Sequence, residues 1–209
     1  MVVNLKRLRR RGVERLRMTV EEYLAFETMS GEKHEYVDGW VYPVYPEIDG
    51  MAGATNNHAV LTQNMVRLLG NALEESPCIV YSPDARVQTG SNSYRYPDIS
   101  VSCDPRDAAA GDDIRLLYPR VLVEILSEST EDVDRADKLA EYRAMPSVQD
   151  YLLVDQTVPR VEHYHRAGDL WLYRTYGQGD TIVLEGLDVA LAVNRIYAKT
   201  RLGDTTGTL

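Results

Sequence analysis

The chain has little from which a disulfide scaffold, a membrane span or a phosphate-binding loop could be built. It holds two cysteines in 209 residues, Cys78 and Cys103. That is too few for a disulfide framework, and both lie in strand-like apolar runs, so the expectation is a pair of buried thiols. No apolar run reaches the ~18 residues that cross a bilayer, and the N-terminus lacks the apolar stretch of a secretory signal. These absences predict a cytoplasmic protein with no membrane contact. Gly50, Gly53 and the later glycines match neither dinucleotide nor Walker spacing. Ser127 and Ser129 lack the strand–turn–helix context of a nucleophile elbow.

Positive charge is scarce outside one end. The chain carries 23 Lys and Arg against 32 Asp and Glu, a formal charge of −9. Residues 1–17 hold Lys6, Arg7, Arg9, Arg10, Arg11, Arg15 and Arg17 against Glu14, a net of +6, so the remainder contributes −15 to the total of −9. A body this acidic repels phosphate backbones at long range. Tight non-specific nucleic-acid binding therefore needs a metal ion or a local basic patch. The composition, 44% hydrophobic and 26% charged, is that of a globular protein. It predicts one domain over residues 18–198, a flexible basic extension over 1–17 and a tail over 199–209.

Hydrophobic periodicity places the elements. Thr19 followed by Glu22 is a capping box that opens a helix. Residues 35–42 read as a hairpin turning at Asp38-Gly39. Residues 50–57 read as a mobile loop, followed by a helix with Val60, Leu61, Met65, Leu68, Leu69 and Leu73 on its apolar side. Short strands are expected at 79–81, 85–88 and 98–102, and a polar loop at about 104–118. The apolar run from Arg120 to Leu126 predicts a strand buried on both faces. Residues 130–144 predict an amphipathic helix ended by Met145-Pro146, and Val148–Val154 another buried strand. A second hairpin, 161–165 and 170–176, turns at Ala-Gly-Asp. Final strands are expected near 181–184 and 189–193, and residues 203–209 read as frayed. The class is mixed α/β (α+β), a central mixed β-sheet flanked by helices with added β-hairpins. Residues 120–154 give a right-handed parallel crossover.

Two carboxylates stand out in this frame. Glu124 interrupts an apolar core strand, and an unpaired carboxylate buried there costs several kcal/mol. Asp98 follows Pro97 at the start of another strand, a place where proline is tolerated. Two acids converging from neighbouring strands repel each other unless a hard cation such as Mg²⁺ or Mn²⁺ sits between them. The alternative is an arginine partner for Glu124, either Arg86 or Arg120. Lys138, on the following helix, can orient water and stabilise developing negative charge at the same site. It can equally form an i, i+4 pair with Asp134.

Several spaced motifs together resemble one family. Glu35-Tyr36-Val37-Asp38-Gly39, Tyr96-Pro97-Asp98, the run Val123 to Thr130, Asp134-Arg135-Ala136-Asp137-Lys138, Tyr142 and Tyr151-Leu152-Leu153-Val154-Asp155 resemble the Uma2 family of restriction-endonuclease-like proteins, over residues 18–185. The resemblance implies the PD-(D/E)XK nuclease fold and Mg²⁺- or Mn²⁺-dependent hydrolysis of DNA phosphodiesters. It implies Asp98 and Glu124 as metal ligands with the main-chain carbonyl of Ile125, Lys138 as the catalytic lysine, and Glu35 as an additional acid. Leu126 stands where the superfamily's plain pattern has lysine, so the lysine has moved to the helix at Lys138. Tyr96 replaces a usual glutamine, and Ser127-Glu128-Ser129 a usual Ser-Pro-Ser. A non-catalytic metal- or nucleic-acid-binding regulatory module that keeps the fold is the alternative reading, and a hydrolase of smaller phosphate esters is a third.

The remaining candidates read as structural. His163 and His165 share a strand face, but beside Glu162 no further ligands stand at zinc spacing, so they are expected on the surface. His58, beside a loop at a helix start, can touch a substrate phosphate or help cap the helix, and the capping role is expected. His34 adjoins Glu35 on the opposite face. Glu35 itself can be a hairpin carboxylate satisfied locally. The 14 tyrosines serve packing. Exposed hairpin strands are able to pair in a homodimer.

Overall fold

The computed structural model describes residues 8–10, 13–44, 55–109, 115–128 and 130–203. The expected loop positions 50–54, the middle of the 104–118 loop, Ser129 and most of the frayed end therefore lie outside the described residues.

The site is positioned by a six-stranded sheet. Its order is β13 (Leu170–Gly177), β12 (Arg160–Ala167), β11 (Asp150–Asp155), β10 (Pro119–Leu126), β8 (Ile99–Ser102) and β5 (Ile79–Tyr81). The pair β10–β11 is parallel, with Glu124 opposite Leu153, and its neighbours run antiparallel. The crossover between these two strands is helical, as expected. It comprises α4 (Glu131–Val133), a π-helical stretch Asp134–Lys138 and α5 (Leu139–Ala144).

The continuous apolar run of β10 is explained by burial on both faces. Val121, Val123 and Ile125 join Leu152, Val154 and Val161 in one core, against Leu61, Met65 and Leu69 of α2 (Asn56–Ala72) and its C-cap Leu73. Those four residues recur every four positions, which makes one stripe. Leu122 and Leu126 face the other way and pack with Tyr142, Tyr151 and Leu153 beneath the crossover helix.

A second sheet carries the N-terminal elements. Its order is β1 (Leu8–Arg10), β2 (Val13–Arg17), β4 (Trp40–Pro43), β3 (His34–Val37), β7 (Ser93–Arg95), β6 (Arg86–Gly90) and β9 (Arg115–Leu116). The first 17 residues, expected as a flexible extension, thus contribute two strands, and Leu16 pairs with Val41. The β3–β4 turn places Asp38 and Gly39 at φ 48° and 87°. Two positive φ values are what a tight two-residue hairpin requires. The capping box forms, with Thr19 and Glu22 bonding reciprocally at the start of α1 (Val20–Met29). Tyr23, Tyr36 and Tyr94 are buried together, with the first two stacked at 4.8 Å, in line with a packing role. β14 (Thr181–Leu184) and β15 (Val189–Ala192) form a separate hairpin, followed by α6 (Val193–Ile196). A short α3 (Pro105–Ala108) lies in the expected loop.

Two sequence expectations are corrected by sheet register. Cys78 and Cys103 are not free thiols but form a disulfide. The β5–β8 pairing sets Ile79 opposite Ser102, which brings the next residues out along the two strands face to face. His163 is not a surface histidine: it is buried on β12 beside Asp150.

Candidate active site

The strand fork beside β10 creates the acidic site. β8 pairs with β10 up to Ile99 opposite Val123. Pro97 lacks an N–H, and the ladder ends there. The Ile125 amide, left without a strand partner on that side, donates to Asp98 Oδ2 at 2.7 Å. A buried amide must find an acceptor, so the end of the ladder is where a side-chain carboxylate is held in place. His58 Nε2 stands 3.3 Å from the same oxygen. The cap of α2 is supplied instead by Thr55, whose hydroxyl accepts from the His58 backbone amide. The imidazole expected to help cap the helix is thus brought to Asp98.

Glu124 is 3% exposed. Its Oε1 accepts from Lys138 Nζ and from the Tyr142 hydroxyl, each at 3.0 Å. Neither arginine alternative applies: Arg86 lies over the rings of Tyr23 and Tyr94, and Arg120 packs beside Gly186. Lys138 meets three acids, Asp134 at 2.9 Å, Glu124 at 3.0 Å and Glu35 at 3.4 Å. Both readings of Lys138 therefore hold at once, the helical pair with Asp134 and the reach to Glu124. The π-helical stretch contains both Asp134 and Lys138 and buries both. Such π-turns are frequent where a helix must aim side chains into a site.

Glu35 is anchored from the other sheet. Its Oε2 accepts from Arg95 at 2.8 Å, and the Tyr96 amide lies 3.4 Å from its Oε1. Arg95 also chelates Glu141, which accepts from Thr89 in addition. The hairpin carboxylate is thus satisfied, and it faces the same lysine as Glu124.

The electrostatics follow from burial and count. Five carboxylates, Glu35, Asp98, Glu124, Asp134 and Glu141, stand against two permanent cations, Lys138 and Arg95. Burial pushes the Glu124 carboxyl well up, more strongly than Lys138 draws it down, with Asp134 and Asp98 adding to the rise. Burial raises Asp134 likewise. For Glu35 burial also pushes up, but Lys138 and Arg95 together overcome it and hold the carboxyl below its ordinary range. Burial pulls the Lys138 ammonium down, and its three acidic neighbours more than reverse this. The donor set fits a hard divalent cation on these grounds: buried carboxylate oxygens in excess of the cations that face them among the described residues.

Of the four residues expected at the site, the structure sets Lys138 against Glu124 and Glu35, with Asp98 bonded to the amide of Ile125. The sequence does not single out Arg95 or Glu141, and it offers His58 as a helix cap or a phosphate contact. Arg95 carried a weak signal, a cation three positions before Asp98. Glu141 carried none beyond helical position, and His58 only its place beside a loop at a helix start.

Comparisons with known proteins give the family. The family model described as "Uma2: Putative restriction endonuclease" matches residues 20–194. The uncharacterized protein slr1290 of Synechocystis is 37% identical over 183 residues, covering 87% of this chain and 92% of that protein. A second Synechocystis protein, sll1609, is 33% identical over 169 residues, covering 80% and 92%. Among solved structures, one described as a putative nuclease belonging to DUF820 from Anabaena variabilis superposes with a TM-score of 0.69 at 16% identity. It covers 87% of this chain and 98% of that one. At that identity the likeness speaks to the fold.

Proposed function

Since the chain belongs to the Uma2 family, we propose that it is a Mg²⁺- or Mn²⁺-dependent endonuclease that hydrolyses DNA phosphodiester bonds. The observation that carries the reading is the convergence of Lys138 on Glu124 and Glu35 beside Asp98, at a strand fork where buried carboxylates outnumber cations.

Asp98, Glu124 and the Ile125 carbonyl would hold the ion. When bound, it supplies a Lewis acid for the scissile phosphate. The chain's own residues do the rest. The Ile125 amide and His58 fix the Asp98 carboxylate. The Tyr142 hydroxyl fixes Glu124. Lys138 keeps its proton, because three acids surround it. Its ammonium thus acts as a hydrogen-bond donor that orients an attacking water and stabilises charge developing on phosphate oxygen. Glu35, held ionised by Arg95 and Lys138, accepts from that water. The acidic body weakens long-range attraction to DNA, so productive binding depends on the ion.

The test is plasmid nicking in Mg²⁺ and Mn²⁺. The wild type cuts and Asp98→Ala does not; equal cleavage by the two excludes the site. One observation favours a second reading, a non-catalytic module that keeps the fold: among the described residues, the Lys138 ammonium is already paired with three acids. Calorimetric Mn²⁺ binding without turnover on any DNA would select it.

A further inference from the structure

We infer that Asp150, His163 and His165 form a second metal site, separate from the first, that takes a borderline-soft divalent ion of the Zn²⁺ class. The three residues come from two adjacent strands. β11 and β12 pair antiparallel with Asp150 opposite His165 and Leu152 opposite His163. The period of two then sets His163 and His165 on the face that Asp150 occupies. Asp150 Oδ1 lies 2.7 Å from His163 Nε2 and 2.7 Å from His165 Nδ1. One ligand atom from each residue falls within 4.8 Å of the others. Tetrahedral ligation at about 2.0–2.2 Å spaces donors by about 3.4 Å, so the site closes on an ion with shifts below about 1 Å.

A second observation is independent of this geometry. Asp150 is 0% exposed, and its other oxygen, Oδ2, is buried with no hydrogen-bond partner among the described residues. Buried polar atoms are almost always satisfied. A carboxylate with an orphan oxygen beside two imidazoles has the form of a ligand set awaiting a cation. His163 is buried, whereas the His165 side chain is 23% exposed. The open side leaves room for water as a fourth ligand. Two imidazoles and one carboxylate suit Zn²⁺ better than Mg²⁺, which prefers oxygen.

Other residues nearby do not compete for the role. Glu162, adjacent in sequence, turns away and pairs with Arg135 and Tyr173. Arg174, opposite His163 on β13, is exposed and free to point into solvent. The site is also remote from Glu124. Asp150 pairs with Val121, three residues before Glu124 along β10, about 10 Å at strand rise. Val121 and Glu124 also face opposite sides of the sheet. Bound there, the ion ties β11 to β12 at the end of the sheet away from the acidic fork.

The sequence alone concealed this ligand set. Asp150 lies 13 positions before His163, and only the β11–β12 register joins them.

The test uses the full chain, stripped with chelator and titrated with Co²⁺ and then Zn²⁺. The wild type develops the visible absorption of tetrahedral Co²⁺ at one equivalent, and Zn²⁺ abolishes it. His165→Gln, at the more exposed of the two histidines, keeps the fold by circular dichroism. It weakens Co²⁺ by more than the roughly 10–100-fold that outer-shell changes cost. Asp150→Asn, which keeps the shape of the carboxylate, does the same. Glu124→Gln leaves the absorption unchanged. No band in the wild type, or equal affinity in folded His165→Gln, overturns the assignment. Loss of the band in Glu124→Gln but not in His165→Gln does so too, by placing the ion at the acidic fork.

Discussion

Replacing Lys138 with methionine removes the charge at the centre of the acidic site while retaining most of the packing of its stem. In the intact protein the ammonium touches Asp134, Glu124 and Glu35 at 2.9, 3.0 and 3.4 Å. Arg95 remains to serve Glu35, but Glu124 and Asp134 lose their cation. Because the lysine is 6% exposed, the discount for solvent screening that governs surface pairs does not apply. Removing one partner of a buried pair costs about 3–5 kcal/mol, and that loss is expected at neutral pH in urea unfolding. The sign of its pH dependence follows from the raised carboxyls. Glu124 and Asp134 have folded pKa values above their ordinary 4.5 and 3.8. Their contribution is therefore fully present below those values and is lost as pH rises through the folded ones. Without the lysine they rise further. The deficit of Lys138→Met should grow as pH rises above the ordinary carboxylate range and shrink as pH falls back toward it. A deficit below about 1 kcal/mol, the range of exposed pairs, or one that is flat with pH, would refute the reasoning.

Glu35 behaves oppositely. Its folded pKa is lowered below 4.5, so its contribution is present above 4.5 and lost as pH falls through the folded value; Glu35→Gln should be less stable than wild type at neutral pH and converge with it in strong acid. An acid titration by circular dichroism in which the two curves never approach would count against the Arg95–Lys138 anchoring. Tyr142→Phe should lose about 1–3 kcal/mol, because the Glu124 oxygen forfeits a donor in a buried setting; an unchanged urea midpoint would mean the hydroxyl contributes nothing. Leu152→Ala, at a fully buried position of β11, should lose about 2–5 kcal/mol. A loss under about 1 kcal/mol there would contradict the two-faced burial of the parallel pair.

Much of the fold could be read from the chain because local chemistry and global packing agree. The Asp38-Gly39 turn, the Thr19–Glu22 box and the apolar run of β10 each specify their element by a rule that needs no neighbour. The acidic site was legible for a related reason: a carboxylate inside an apolar strand has few stable fates, so Glu124 announced itself, and Asp98 followed from Pro97. What depended on register stayed hidden. The Cys78–Cys103 bond exists because Ile79 and Ser102 pair, and the separation of 25 residues gives no hint of it. Arg95 fell between the expected strands, and only the pairing of β7 with β3 brings it to Glu35. His58 reached Asp98 because α2 packs across β8 and β10. Strand ends and helix positions specify a residue's element, and only tertiary pairing specifies its partner.

The central claim is that Asp98 and Glu124 share a divalent ion. A crystal of the protein soaked in Mn²⁺, with anomalous differences recorded, tests it most directly. The account predicts a peak between the two carboxylates, beside the Ile125 carbonyl and within a few ångströms of the Lys138 amine. No peak there, with Lys138 still closing the site, would contradict it.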